Sequence, residues 1–141
     1  MFHTTIEPRI GDTDAIGHIN NTVAACWFEQ ARNPLFRIFM PVFDSKQWNL
    51  IMVRTTFDFL AQMYFTSPVE IKSWVSHIGT KSFTVTHEAW QLGQCGVRGT
   101  AVIVYFDYVN QQSQPIPEAY RARLMEHFIA PEPDAKPQAR A

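Results

Sequence analysis

Apolar positions along the chain first recur at helical spacing and then, after residue 48, alternate with polar ones. In the helical stretch the apolar side chains that share one face are Val23, Trp27, Ala31, Leu35 and Ile38. This period predicts one long helix, with Asn20 or Asn21 as its N-cap. Pro34 is expected either to kink this helix or to start a second short helix that reaches Met40.

Four later segments have the residue types and spacing of strands, namely 51–60, 69–78, 82–92 and 96–108. Alternation of apolar and polar side chains is typical of a strand with one buried face. Gly79–Lys81 and Gly93–Cys95 are connections of hairpin length, so we predict an antiparallel meander. A short edge strand is expected within residues 2–10, and a short helix from Pro115 to about His127.

A helix followed by long strands predicts an α+β fold, in which the sheet buries its apolar face on the helix. A chain of 141 residues closes one hydrophobic core and is too short for a second substantial one. Several prolines and few apolar residues mark residues 128–141 as a disordered tail. We therefore assign a single domain to residues 1–127.

The composition restricts the partners that the chain could have. Apolar residues make up 46%, with Phe 11 and Trp 4, which is more aromatic surface than a small monomer hides easily, so we expect a homo-oligomer. The net charge is −1 without a basic cluster, and no nucleic-acid partner is expected. The sequence has no long apolar run and no export signal, and its two cysteines lack disulfide or zinc spacing, so we expect a cytoplasmic protein without membrane contact.

The side chains best suited to catalysis are concentrated directly before the predicted helix. They are Asp12, Asp14, His18, Asn20 and Asn21. A helix N-terminus leaves backbone N–H groups without intrahelical partners and carries partial positive charge. A carboxylate next to such donors could serve a reaction that develops an oxyanion. The donors expected here are the backbone N–H groups from Gly17 to Asn21.

This region also carries a family resemblance. The segment from Arg9 to Asn21, followed by Trp27-Phe28-Glu29-Gln30-Ala31-Arg32, resembles the acyl-CoA thioesterases of the 4-hydroxybenzoyl-CoA thioesterase type. The similarity covers roughly residues 4–127. It implies the hotdog fold, a curved antiparallel sheet wrapped around one long central helix. It also implies a dimer or tetramer with the site at the subunit interface, and no cofactor apart from the coenzyme A of the substrate.

The resemblance assigns roles to particular positions. The family's catalytic carboxylate falls on Asp14, which would act either as a general base on water or as a nucleophile. Related plant acyl-ACP thioesterases implicate a histidine at the position of His18, although their intervening Asn is Ile16 here. Gly17, Asn20 and Asn21 are the expected oxyanion or positioning residues, with capping as the alternative role of both asparagines. The acyl pocket is assigned to Ala24, Ala25 and Phe28.

Several other residues have two possible roles. Asp12 is expected to be a structural turn or capping residue. Glu29 should pair with Arg32, although some hotdog thioesterases use a helical Glu as their carboxylate. The candidates for binding CoA phosphates, each of which could equally be a solvated charge, are Arg54, Lys81 and Arg98. The strand and helix histidines are expected to be surface or hydrogen-bonded core residues: His77, His87 and His127.

Acyl-CoA hydrolysis is the function that the sequence favours, and no metal is needed for it. Two alternatives stay open. One is a hydratase or dehydratase acting on enoyl thioesters, whose Asp and His are separated by an Asn-Pro segment that Ala15-Ile16-Gly17 does not match. The other is a non-catalytic protein that binds acyl thioesters, because a fold does not by itself give activity.

Overall fold

The computed structural model describes residues 1–133. Its helices and strands are β1 (Phe2–Ile6), α1 (Val23–Ala31), α2 (Asn33–Phe39), β2 (Leu50–Phe59), β3 (Val69–Ile78), β4 (Ser82–Gln91), β5 (Gln94–Asp107), β6 (Gln112–Ser113) and α3 (Glu118–Met125). The predicted strands are therefore confirmed, with bounds shifted by up to a few residues. Strand β6 was not predicted from the sequence.

The strands form one antiparallel sheet in the order β1-β3-β4-β5-β2, with β6 paired to β5. Only β3, β4 and β5 form a meander, because β2 pairs with β5 and lies at the far edge. The Gln91 side chain bonds the β2–β3 connection, donating to the carbonyls of Tyr64 and Ser67 and accepting from the Tyr64 N–H. Leu92 and Gly93 have positive φ and form the tight β4–β5 turn, so Cys95 lies in β5 rather than in the turn.

The predicted long helix is two consecutive helices. α1 has nine residues, and Pro34 lies in the first turn of α2, where its missing N–H costs no hydrogen bond. Of the two outcomes expected at Pro34, a kink and a second short helix, the structure has the second. Thr22 rather than an asparagine is the N-cap of α1. The Asn20 side chain accepts the N–H of Thr22, two residues further along the chain.

The sheet buries its inner face on α1. The side chains of α1 that are buried in this core are Ala24, Trp27, Phe28 and Ala31. Phe28 packs closely on the sheet at Gly99, where an added Cβ would lie 2.4 Å from the carbonyl oxygen of Thr56 and 3.0 Å from the Phe28 ring. Glycine at this position therefore allows α1 to approach the strands.

The ordered chain continues past the predicted domain boundary at residue 127. Phe128 forms a parallel bridge with Val75, and the N–H of Ile129 donates to the Val75 carbonyl at 2.9 Å. Two residues of the predicted tail therefore pair with β3, while residues 134–141 of that tail lie outside the described residues, and the predicted domain bounds stay a prediction. Among residues 1–133, no helix has the length and apolar character required to span a membrane.

Candidate active site

Residues 12–21, named here the Asp14 loop, connect a short 3-10 turn to α1. Asp12 begins the loop and is only 4% exposed. Its carboxylate accepts from the backbone N–H of Arg9 at 2.9 Å and from the Arg9 guanidinium at 3.0 Å. These hydrogen bonds to Arg9 hold the pKa of Asp12 below its usual value. This geometry supports a structural role for Asp12, and within residues 1–133 its carboxylate has no hydrogen bond to His18.

Asp14 is half-buried and has one carboxylate oxygen fixed by the loop. Its Oδ1 accepts the backbone N–H groups of Ile16 and His18, both at 3.0 Å. The Asp14 N–H in turn donates to the His18 carbonyl at 2.7 Å, and the Gly17 N–H donates to the Asp14 carbonyl. Gly17 has φ +83°, a conformation that glycine adopts without strain. Within the described chain Oδ2 accepts no hydrogen bond.

The structure changes the assignment of oxyanion donors. Four of the five expected backbone N–H groups already have acceptors within the protein, namely those of Gly17, His18, Ile19 and Asn20. In the part of the chain that the structure describes, only the Asn21 N–H of this group has no acceptor. Gly17 therefore shapes the loop rather than donating to a ligand. Asn20 keeps a free donor, because its Oδ1 accepts from Thr22 and its Nδ2 bonds no described residue.

The Asp14 loop borders a cavity of about 350 Å³, which we name the Asp14 cleft. Its polar lining consists of Asp14, His18, Asn20, Asn21 and Gln62. Its remaining lining is apolar and comes from the loop, α1 and the strand ends: Ile16, Ile19, Ala24, Phe59, Ala61, Met63 and Val97. The structure thus brings one carboxylate together with an imidazole, side-chain amides and an apolar wall.

His18 is held at the rim of the cleft by an aromatic neighbour. Its ring meets the Tyr64 ring edge-on, with 5.3 Å between the ring centres. Tyr64 itself belongs to the β2–β3 connection that Gln91 fixes. The His18 ring therefore has a defined position in the lining of the cleft to which Asp14 also belongs.

Three predicted site residues do not line the cleft, for different reasons. Gly17 lies in the loop but outside the lining, and Ala25 is exposed on α1, next to Ala24 but turned from it by the helix. Phe28 is 1% exposed and stacks on the rings of Phe57 and His87, so it is a core residue. Of the proposed acyl pocket only Ala24 has the expected location.

The three cations predicted to bind CoA phosphates also lie away from the cleft. Arg54 and Arg98 are paired opposite Val102 and Asp58, which places both on the sheet face away from α1. Arg98 also lies 3.6 Å from a carboxylate oxygen of Glu88. Lys81 is exposed in the β3–β4 hairpin. No Lys or Arg occurs in the lining of the cleft that the described residues form.

No cluster of three or more metal-binding side chains occurs within residues 1–133.

The predicted ion pair between Glu29 and Arg32 is wrong for this part of the chain, where neither residue takes part in an ion pair. Glu29 is exposed, whereas Arg32 is buried and only 4% exposed.

Arg32 instead begins a buried polar chain that sequence reasoning missed. Its Nη1 lies 3.3 Å from Nε2 of His87, and Nδ1 of His87 lies 2.7 Å from Oγ of Ser73. Because a guanidinium can only donate, Nε2 accepts and Nδ1 donates to Ser73. Burial, and secondarily the Arg32 charge, lowers the pKa of His87 to about 3. His87 is therefore a neutral core residue.

With this geometry established, the chain can be compared with known proteins. A model of the thioesterase-like superfamily matches residues 8–124, which is most of the chain. The chain belongs to the thioesterase-like superfamily. This thioesterase-like protein is similar over 93% of its length to the structure of a predicted thioesterase from Bacillus stearothermophilus, with 36% identity, a TM-score of 0.90 and 98% of that chain covered. The antiparallel sheet packed on α1 and this match together confirm the predicted hotdog fold of the α+β class.

Two further relatives extend the comparison of this thioesterase-like protein. A thioesterase from Thermus thermophilus, whose crystal structure contains coenzyme A and Zn, has 24% identity and a TM-score of 0.78, with 87% of this chain and 96% of that chain covered. The uncharacterised protein YsmA of Bacillus subtilis strain 168 is 26% identical over 104 residues, which are 73% of this chain and 71% of YsmA. The first of these shows the fold, and the second gives no activity.

Proposed function

We propose that this protein is an acyl-CoA thioesterase that hydrolyses an acyl-CoA thioester to the free acid and coenzyme A. The observation that carries the proposal is the carboxylate of Asp14, which has only one oxygen hydrogen-bonded within the described chain and lines a cleft with an apolar wall. Oδ1 is fixed by two backbone N–H groups, which leaves Oδ2 available. Membership of the thioesterase-like superfamily supports the reaction class.

Two routes use the same oxygen. As a general base, Oδ2 takes a proton from a water that attacks the thioester carbonyl carbon, and the tetrahedral intermediate then expels the CoA thiolate, which takes up this proton and leaves the Asp14 carboxylate regenerated. As a nucleophile, Oδ2 attacks that carbon directly and the C–S bond breaks, so that the CoA thiolate leaves; water then hydrolyses the resulting mixed anhydride to the acid and the regenerated Asp14 carboxylate. In both routes the fixed Oδ1 keeps the carboxylate oriented, which reduces the entropic part of the barrier.

Donors for the developing oxyanion come from a smaller set than the sequence predicts. We assign this role to the Nδ2 group of Asn20 and the backbone N–H of Asn21, with the His18 ring as a third candidate. One such donor contributes on the order of 3 kcal/mol in comparable sites. The acyl group would lie against the apolar wall that Ala24, Phe59 and Val97 provide.

The position of β2 supports a homodimer with the cleft at its interface. Within residues 1–133, β2 pairs with β5 on one side and has no strand on the other. Met52, Val53 and Phe59 of this strand are 48%, 59% and 42% exposed. A long edge strand with exposed apolar residues is prone to pair with another chain. A second copy at this edge would lie next to Phe59 in the Asp14 cleft, and two such dimers could form a tetramer.

Binding of the coenzyme A moiety is supported by the Thermus thioesterase, which was solved with coenzyme A. Since the described lining of the cleft has no Lys or Arg, we expect cations of the second subunit to meet the CoA phosphates. We place the activity in the cytoplasm, because Cys26 and Cys95 are both free thiols.

A thiol-release assay over straight-chain, branched and aromatic acyl-CoAs tests the proposal. We expect thiol release that saturates with at least one class of acyl-CoA. Crotonyl-CoA is assayed in parallel for loss of its enoyl absorbance without thiol release, which would indicate hydratase activity instead. Tight acyl-CoA binding without thiol release across the panel would indicate the non-catalytic binding protein.

A further inference from the structure

A second cavity of about 400 Å³ lies at the other end of α1 from the Asp14 cleft. We name it the Arg32 cavity. It is bounded by the end of α1, the start of α2 and the first residues of β2, and Arg32 is part of its lining. The wall is otherwise mostly apolar or aromatic and includes Trp48, Leu50, Met52 and Tyr108. None of its lining residues is shared with the Asp14 cleft.

Arg32 is unusual in being buried without a counter-ion. It is 4% exposed, and within residues 1–133 no carboxylate oxygen lies within 4.0 Å of it. Its side chain has one hydrogen bond in this range, from Nη1 to the neutral His87, and its Nε is buried without a partner. Removal of a guanidinium from water is unfavourable unless an anion or several acceptors compensate it.

The other Arg32 neighbours do not neutralise the charge. His87 accepts one N–H but stays neutral, and Ser73 beyond it is also neutral. Glu29 lines the cavity and raises the pKa of Arg32 against the larger lowering by burial, but it makes no ion pair. Arg32 thus contributes a guanidinium with a single hydrogen bond in the described chain to the lining of a mostly apolar cavity, a combination suited to a carboxylate attached to an apolar body.

We propose that the Arg32 cavity is a second binding site, which takes a small organic carboxylate with its charged group against Arg32 and its apolar part against Trp48, Leu50 and Met52. A single cation and the nearby carboxylate of Glu29 make the cavity unsuitable for a polyvalent phosphate. The inference does not depend on thioesterase activity, because the site is tested by equilibrium binding alone.

Isothermal titration calorimetry with octanoate and benzoate tests the site, with 1-octanol and benzyl alcohol as uncharged controls of the same shape. We expect saturable binding of at least one carboxylate and at least about tenfold weaker binding of its alcohol. No detectable binding of either carboxylate, or equal binding of acid and alcohol, would overturn the proposal.

Variants then locate the binding. Arg32→Gln is expected to lose at least about tenfold in affinity. Since Arg32 is buried and this variant could fail to fold, two partly exposed positions give independent tests. Met52→Trp fills the cavity and should weaken binding to a similar extent, whereas Glu29→Gln removes a repulsive charge and should strengthen it severalfold.

Asp14→Asn is the matched control, because Asp14 lines only the other cleft. It should bind the carboxylate as the wild type does. A changed affinity in Asp14→Asn, in either direction, together with wild-type binding in Met52→Trp would place the ligand in the Asp14 cleft and refute the second site. A folded Arg32→Gln variant with wild-type affinity would refute it as well.

Discussion

Asp14 and His18 are joined by two hydrogen bonds within the Asp14 loop, one to the Asp14 carboxylate and one between backbone groups. The His18 N–H donates to Oδ1 of Asp14 at 3.0 Å, and the Asp14 N–H donates to the His18 carbonyl at 2.7 Å. The hydrogen bonds that close the loop therefore also orient the carboxylate. This relationship explains why a half-buried Asp14 can have a defined geometry without a cationic partner within residues 1–133.

Asp14→Asn should lower kcat on a competent acyl-CoA by more than about a hundredfold, with KM nearly unchanged. An asparagine oxygen can still accept the N–H groups of Ile16 and His18, so the loop should keep its shape while the basic oxygen is lost. Steady-state kinetics with the best substrate of the panel measures the effect. Asp58→Asn, on the sheet face away from α1, is the control and should have wild-type kcat. An unaltered kcat in Asp14→Asn would refute the assignment.

Gly17→Ala tests the link between loop conformation and activity. Gly17 has φ +83°, and its Cβ would meet no atom within 4 Å, so the effect is conformational strain and not a clash. We expect a loss of about 1 kcal/mol in the free energy of unfolding and a reduced kcat, because the strain acts on the loop that orients Asp14. Gly11→Ala is the matched control, since Gly11 also has open space but no positive φ. Equal effects of the two substitutions in denaturant titration and kinetics would contradict the prediction.

The strands could be predicted from the sequence because they depend on local patterns, whereas the choice of Asp14 as the candidate carboxylate comes from the family resemblance and stays a prediction. Alternation of side chains predicted Val69–Ile78 with the bounds that the structure has. The partner of β2 could not be predicted, because it depends on a crossover that the distant Gln91 side chain holds. Likewise, most of the backbone N–H groups expected to bind an oxyanion already donate to acceptors in the Asp14 loop. These hydrogen bonds depend on the folded shape of the loop and could not be predicted from the sequence.

The buried polar chain was missed although the sequence carries a signal for it. Arg32 follows Phe28 by four residues and so lies on the same buried helix face, while His87 alternates with Val85 and Ala89 on the inner face of β4. Charge spacing pointed instead to a surface pair with Glu29, since such pairs are common on helices. Here the position of a charged residue on a buried helix face therefore indicates its contacts better than its spacing from an opposite charge.

His87 predicts a specific loss of stability in acid. Its pKa is about 3 in the folded protein and about 6.5 when unfolded, so below pH 6.5 the unfolded chain binds a proton that the folded chain does not. The free energy of unfolding should therefore fall as the pH decreases from about 6.5 towards about 3, by up to about 1.4 kcal/mol per pH unit. Denaturant titrations at several pH values measure this slope.

The control for this slope is a variant that keeps an acceptor for Arg32 but cannot titrate. His87→Gln meets that requirement, and its stability should depend less on pH between about 6.5 and about 4.5 than that of the wild type. His77→Gln, in an exposed position of β3, is the matched variant in which an imidazole elsewhere in the sheet is replaced. If His87→Gln and the wild type had the same slope, His87 would not be the group responsible.

The edge of β2, which pairs with no further strand within residues 1–133, predicts how the proposed homodimer can be disrupted. Val53 is 59% exposed beside the β2–β5 register shift, so Val53→Lys places a charge on the edge with little effect on the core. Lysine at an edge strand opposes pairing with another chain, and we expect a shift from dimer to monomer in analytical ultracentrifugation.

Val109→Lys, at an 89% exposed position in the β5–β6 turn, adds the same charge away from this edge and should leave the dimer intact. Because the second copy is proposed to complete the Asp14 cleft, Val53→Lys should also raise KM for acyl-CoA. A dimer that survives this substitution with unchanged KM would exclude β2 as the interface.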